Sequence, residues 1–243
     1  MLQKFNYFGE HEDYTIRLCN PNKQQICFLN QGFQQELSLR FNEMSEFHIT
    51  IPYKTDGEAF PYYDRIKSKK LILIDDIGYF LITTVDETDD GIVKQKTVTA
   101  YSLETELAFK KINIFDGTYK FYDPINVDNT LMGKILSTSN WTIGQIDPDL
   151  WNVYRTFEIP DSTVYEFLMN DVETSYECVF IFDSFNRTVS AYTLKNLVKN
   201  TDIILSYDNL IQSIDINEKS DEIVTALSVY GGNNLGVSAV NPL

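Results

Sequence analysis

Glu46-Phe-His-Ile-Thr-Ile51 alternates polar and apolar side chains without a break. A period of two marks a strand with one buried face, because successive side chains point to opposite sides of the pleat. Glu36-Leu-Ser-Leu-Arg-Phe41, just before it, does the same. Upstream, Tyr14-Thr-Ile-Arg-Leu-Cys19 alternates, Asn20-Pro-Asn-Lys23 reads as a turn, and residues 25–29 return. Downstream, a short helical piece is predicted within 59–67. Residues 70–75 and 79–85 are predicted strands around the Asp76-Ile-Gly78 turn. Asp86-Glu-Thr-Asp-Asp-Gly91 reads as a second turn, and 92–101 as the next strand. Short strands with turn signals about every ten residues predict a barrel or a sandwich.

The period changes after residue 101. Ser102 is placed to cap a helix carrying Leu103 and Leu107, with Glu106 and Lys110 as an i,i+4 pair. Asp128 is placed to cap a second, with Leu131, Met132, Ile135 and Leu136 on one face. Ser162 precedes the clearest helix, where Val164, Phe167, Leu168 and Val172 fall at i, i+3, i+4 and i+8. Residues 141–147, 177–183 and 188–194 read as strands between these helices. After about residue 200 strands return, at 203–207, 210–217 and 223–230. The fold class expected is α+β and β-rich. It comprises a β-barrel-like domain over 1–101 completed by 200–243, with an α+β lobe inserted at 102–199.

The 243 residues are 43% hydrophobic and 23% charged, which excludes disordered and fibrous classes. Twenty basic residues against 35 acidic ones give a net charge of −15. A phosphate backbone attracts a positive field, so no nucleic-acid partner is expected, and anionic membrane surfaces are disfavoured for the same reason. No apolar run approaches the ~18 residues of a membrane span. Cys19, Cys27 and Cys178 are odd in number and lack C-x-x-C spacing, so they are expected to be free thiols. The first residues lack the basic-then-apolar pattern of a signal peptide, which points to synthesis in a cytoplasm.

The inventory of chemistry is nearly empty. His11 and His48 are the only histidines, and neither has the neighbours that a nucleophilic triad or a zinc site requires. Asp86, Thr88 and Asp90 take the first, third and fifth places of a calcium loop, but Thr97 stands where the bidentate Glu is needed. Gly231-Gly-Asn-Asn-Leu-Gly236 follows a strand, but no Lys-Ser/Thr pair or helix follows it, so it reads as a turn. Asp147 and Asp149 flank Pro148. A pair of carboxylates suits general acid–base work only across a cleft, and a solvated loop is the plainer reading. Trp141 and Trp151 suit either a sugar-stacking platform or, more simply, a core. No catalytic residue, metal ligand or cofactor is therefore assigned.

Several segments, taken in order, resemble one family. They are Thr99-Ala-Tyr-Ser-Leu-Glu-Thr-Glu-Leu107, Asn140-Trp-Thr-Ile-Gly-Gln-Ile-Asp147, Ser162-Thr-Val-Tyr-Glu-Phe-Leu-Met169 and Glu177-Cys-Val-Phe-Ile-Phe-Asp183. The hairpin of 211–231, ending in Val-Tyr-Gly, and Leu235-Gly-Val-Ser-Ala-Val-Asn-Pro242 complete the series. Together they resemble the N-terminal structural region of the siphophage tail-tip proteins, the prophage endopeptidase tail or tail-associated lysin family. That fold is similar to the baseplate hub of contractile-tailed phages. The resemblance covers roughly 70–242. It implies a homotrimeric ring that closes the tail tube, docks under the distal tail protein and ends the tape-measure channel. It places the product at the virion tail tip and implies that strands beyond 200 complete the first barrel. Family chains often continue into a lytic or receptor-binding region, and no lytic residue of such a region falls on these 243 positions.

Three functions follow for comparison. One is a structural hub without catalysis, one is part of a peptidoglycan hydrolase, and one is a carbohydrate-binding module for the host cell wall. Scarce histidine and the absence of a nucleophile–base pair weigh against the hydrolase. The module requires an aromatic-lined cleft, whereas the hub requires an apolar contact surface between copies.

Overall fold

The seven strands expected before residue 102 hydrogen-bond into one antiparallel sheet in a computed structural model that describes residues 3–5, 11–197, 226–230 and 236–240, with side chains over 14–197. The strands are β1 (Ile16–Cys19), β2 (Gln25–Phe28), β3 (Phe33–Ser38) and β4 (Glu46–Pro52). They continue with β5 (Leu71–Ile74), β6 (Gly78–Asp89) and β7 (Lys94–Ser102). Their order across the sheet is β2-β1-β5-β6-β7-β4-β3. The helical piece expected within 59–67 is a 3-10 turn at Tyr63–Arg65.

The run Leu71-Ile-Leu-Ile74 is apolar at every position and buried along its whole length. A strand without alternation is covered on both faces, and the two faces of β5 feed two separate cores. Ile72 and Ile74 join Leu18, Phe47, Ile49 and Phe80 on one side. Leu71 and Leu73 join Cys19, Leu81 and the apolar residues of 103–191 on the other. The α+β section thus packs directly on the sheet.

The expected barrel is not closed among the described residues. Strands β2 and β3 lie at opposite edges, and no ladder joins them. They are nevertheless consecutive in sequence, linked only by residues 29–32. Six inter-strand spacings of about 4.8 Å would separate the edges of a flat sheet by roughly 29 Å. The five Cα steps from Phe28 to Phe33 span at most about 18 Å. The sheet must therefore curl, which lets one face pack on itself, but hydrogen bonding does not complete the circuit. Leu29, fully buried in the link, and Gly32 against Ile49 plug the gap.

Strand β6 is longer than the sequence pattern suggested, whereas β7 starts two residues later than expected. The turn expected at 86–91 is instead strand up to Asp89, paired in register from Asp86↔Thr97 to Asp89↔Lys94. Glu87 meets Lys94 at 2.8 Å across the ladder, and the Asp90 carboxylate accepts the N–H groups of Ile92 and Val93 at 2.9 and 2.6 Å. Acidic side chains exposed on a hairpin that stands clear of the core carry no period-two signal, which is why the strand was legible only to Val85.

The α+β section begins with the single helical turn α1 (Thr105–Ala108). It continues with β8 (Gly117–Lys120), α2 (Leu131–Leu136), β9 (Thr142–Ile146) and β10 (Tyr154–Phe157). It ends with β11 (Cys178–Asp183) and β12 (Thr188–Thr193). Strands β8 and β10 pair antiparallel, and β12 runs between β11, antiparallel, and β9, parallel. Over 164–176 the chain is helical with a π-helical middle, Phe167–Val172. Val164, Phe167, Leu168 and Val172 share a core with Cys178 and Phe180 of β11 and Val189 and Ala191 of β12, as the spacing predicts.

The caps differ from the expected ones. Thr163, not Ser162, caps the 164–176 helix, because Thr163-x-x-Glu166 forms a reciprocal capping box and Ser162 has no acid three residues on. Thr130, not Asp128, caps α2 by accepting from the Gly133 N–H at 3.2 Å, while Asp128 sits in a preceding 3-10 turn. Ser102 does not cap α1. It donates to the buried Glu104 carboxylate, and its carbonyl accepts from the Thr105 hydroxyl at 2.8 Å.

Of the strands expected after 200, 203–207 and 210–217 lie outside the described residues. Ala226–Tyr230 pairs antiparallel with Gly236–Val240, in register from Ala226↔Val240 to Tyr230↔Gly236. The chain divides into two compact units, 1–199 and 200–243.

Candidate functional site

The residues singled out in the sequence whose side chains are described are held in structural roles. His48 Nδ1 lies 3.1 Å from the Thr99 hydroxyl and its Nε2 3.0 Å from Glu46, on the polar face of β4. The side chain of His11 and residues 231–235 lie outside what is described. Cys19, Cys27 and Cys178 are free and buried. Cys19 and Cys27 are on paired strands but belong to different cores. Burial pushes the thiols of Cys27 and Cys178 up to about 11 and about 12, so neither is a ready nucleophile. Among the described residues, no three His, Cys, Asp or Glu side chains gather to hold a metal, and no helix is long and apolar enough to cross a membrane.

Asp147 is a clasp. Its carboxylate accepts from the Thr193 N–H at 3.0 Å, the Thr193 hydroxyl at 2.7 Å, the Asn196 amide at 2.7 Å and the Asp149 N–H at 3.1 Å. Burial pushes its pKa up, but these bonds outweigh it and hold the group at about 2. The same Asn196 amide reaches Asp149 at 3.1 Å, so the two acids bracket a donor rather than a substrate. Trp141 is buried with its indole N–H 3.2 Å from Glu106, and Trp151 donates to the Ile146 carbonyl at 3.1 Å. Neither ring forms an open platform.

Sequence reasoning missed a groove of about 830 Å³ between α1, the 68–69 turn, β6 and residues 139–141. Leu81 and Trp141 floor it, Ile82 borders it, and Phe109, 68% exposed, stands at its rim. Glu106 does not pair with Lys110 as expected. Arg187 grips it in a fork, Nε to Oε2 and Nη2 to Oε1, each at 2.8 Å. That pair neutralises the only acid in the lining, which leaves Lys69 and Lys110 as the charges of the groove. Among the described residues neither ammonium group has a carboxylate partner. The lining comes from five separated stretches of chain, so no local motif announces it.

A second feature stands apart from this groove. The tip of the β6–β7 hairpin carries Ile92, 93% exposed, and Val93, 49% exposed. Asp89 and Asp90 flank them, Asp86 lies further down the same strand, and none of the three is in an ion pair among the described residues.

No family model matches the sequence. The chain is 26% identical over 251 residues to the SPbeta prophage-derived uncharacterized protein YomG of Bacillus subtilis, across the whole of this chain and 27% of that protein. The fold is similar to that of the prophage tail protein gp18 from Listeria monocytogenes, with a TM-score of 0.63 at 12% identity, covering 94% of this chain and 68% of that one. It is also similar to the tail protein from Neisseria meningitidis, with a TM-score of 0.58 at 11% identity, covering 95% and 68%. The 43 kDa tail protein of prophage MuSo2 from Shewanella oneidensis matches with a TM-score of 0.53 at 13% identity, covering 75% and 56%. The likeness to prophage tail proteins that the sequence suggested is thus a likeness of fold. The chain spans about a quarter of its curated relative.

Proposed function

We propose that this chain is a structural component of a phage or prophage tail, placed at the tail tip. There it forms a homotrimeric ring that closes the tube and docks the distal tail protein and the tape-measure protein. The fold shared with the Listeria prophage tail protein over 94% of the chain carries the reading. The role is geometric, and no bond is made or broken. The domain division belongs to the same proposal, with 1–101 and 200–243 forming one β-domain and 102–199 the inserted lobe. Ionisable groups in the described residues support it, because they are spent on clasps such as Asp147 and Glu106–Arg187 rather than aimed together into a cleft.

Sedimentation of the purified chain over a rising concentration series is expected to reveal a trimer. A species that stays monomeric throughout, at low and high salt, would remove the ring. Incubation with purified Gram-positive cell wall is expected to release no soluble fragments. Reproducible release, abolished by one Asp or Glu substitution, would favour the hydrolase instead.

A further inference from the structure

We propose that the tip of the β6–β7 hairpin of one copy docks into the groove between α1 and β6 of the next, so that each chain is knob to one neighbour and hole to the other. The inference rests on the assembly reading above and names the contact that would make it.

The two surfaces match in chemistry. The knob is Ile92 and Val93 with the acidic side chains of Asp89 and Asp90 beside them and Asp86 further down the same strand. The hole is an apolar floor with Phe109 at its rim, flanked by Lys69 and Lys110, which have no carboxylate partner among the described residues. Its volume lies within the ~300–1,000 Å³ of pockets that enclose a ligand. On a chain of net charge −15, whose copies repel one another, this is where opposite signs can meet.

The knob cannot fill its own hole. The Lys69 N–H donates to the Ile82 carbonyl at 2.8 Å, which fixes the hole beside the lower part of β6. Eight residue steps along the strand separate Ile82 from Asp90, roughly 26 Å at ~3.3 Å per residue. The ladder from Thr84↔Thr99 to Asp89↔Lys94 keeps the hairpin extended, and the Asp90 carboxylate holds the tip in its turn. A knob rigidly held away from a complementary hole on the same chain makes a heterologous contact, the kind that closes into a ring when the rotation allows.

Site-directed cross-linking tests this on the full chain. Ile92→Cys and Asn140→Cys place one exposed thiol at the knob and one at the hole, while the three native cysteines are buried. On mixing the two variants under mild oxidation, a covalent dimer is expected to form at least tenfold faster than with Cys at Ile125, an exposed position elsewhere. Lys69→Glu with Lys110→Glu in the Asn140→Cys chain is expected to abolish that preference, and both lysines are exposed enough to change without disturbing a core. Cross-linking no faster than the Ile125 control overturns the docking. If the parent chain still sediments as a trimer, the ring stands and is held elsewhere. Selective cross-linking of a chain that never passes a dimer supports the docking and sinks the closed ring.

Discussion

Phe167→Ala should be among the most damaging single changes in the 1–199 unit. The ring is fully buried, 0% exposed, in the π-helical middle of the 164–176 helix. It meets Phe157 of β10 edge to face, with centroids 5.4 Å apart and planes at 69°. Returning the benzyl group's burial to water costs about 1.5–3 kcal/mol. Losing the aromatic pair costs a further ~0.5–1.5 kcal/mol. Core strands on one side and the helix on the other limit collapse into the hole, so the total is about 3–5 kcal/mol. For a chain of this length each kcal/mol lowers Tm by ~2–4 °C, which puts the expected drop at roughly 6–20 °C. Thermal melts followed by circular dichroism, with urea titrations to check that m is unchanged, measure it. Phe115→Ala is the control, because Phe115 is 84% exposed and its loss should stay within ~0.5 kcal/mol. A Phe167→Ala melt within about 2 °C of the parent would refute the assignment of this helix face to the core.

Three further outcomes are expected. Gly133→Ala in α2 should destabilise although Ala normally gains about 1 kcal/mol over Gly in a helix, because its Cβ would press into the Val127 carbonyl, 2.8 Å from the carbonyl carbon; a raised Tm would contradict this. Asp147 titrates at about 2 when folded and near ~3.9 when unfolded, so its contribution is complete above about pH 4 and is lost as pH falls toward 2. Asp147→Asn should lower stability at neutral pH by about 1–3 kcal/mol and flatten the slope over that window, and an unaltered slope in urea titrations would show that the clasp is not what titrates. Glu106→Gln should weaken the hold of Arg187 and Trp141 by about 1–2 kcal/mol, and a double-mutant cycle with Arg187→Gln would read zero coupling if the fork contributes nothing.

What the sequence made legible followed burial. The period-two segments at 14–19 and 46–51 lie in the sheet because one face of each strand meets a core, whereas of 36–41 only residues 36–38 are strand and Leu39 and Phe41 stand exposed. The i, i+3, i+4, i+8 face at 164–172 is buried for the same reason. The strand at 70–75 was legible from its apolar run, and its burial on both faces emerged only in the structure. Legibility ended where side chains answer to solvent or to distant partners. Asp86–Asp89 is strand because a partner ladder holds it, not because a core does. Thr163 and Thr130 cap where their neighbours complete the bonds, which the first plausible Ser or Asp does not reveal. The groove was invisible because Lys69, Phe109 and Trp141 become neighbours only after β6 and α1 pack, and because Glu106 turned from its local partner Lys110 to Arg187, 81 positions away in sequence.

The four-residue link between β2 and β3 has a consequence for how the sheet is found as well as for how it is shaped. The seven strands are three local units, the hairpins β1–β2 and β3–β4 and the meander β5–β6–β7, and only two seams, β1–β5 and β4–β7, join distant parts of the chain. Local hairpins form on the microsecond scale, whereas seams between distant strands must first close long loops. Residues 29–32 tether one hairpin to the other, so whichever seam zips first carries the second hairpin to the opposite edge of the meander. The remaining search is then confined to a short radius, and its entropic cost falls accordingly. The curl of the sheet and the economy of that search have the same origin, a connection too short to reach between the edges unless the sheet curls.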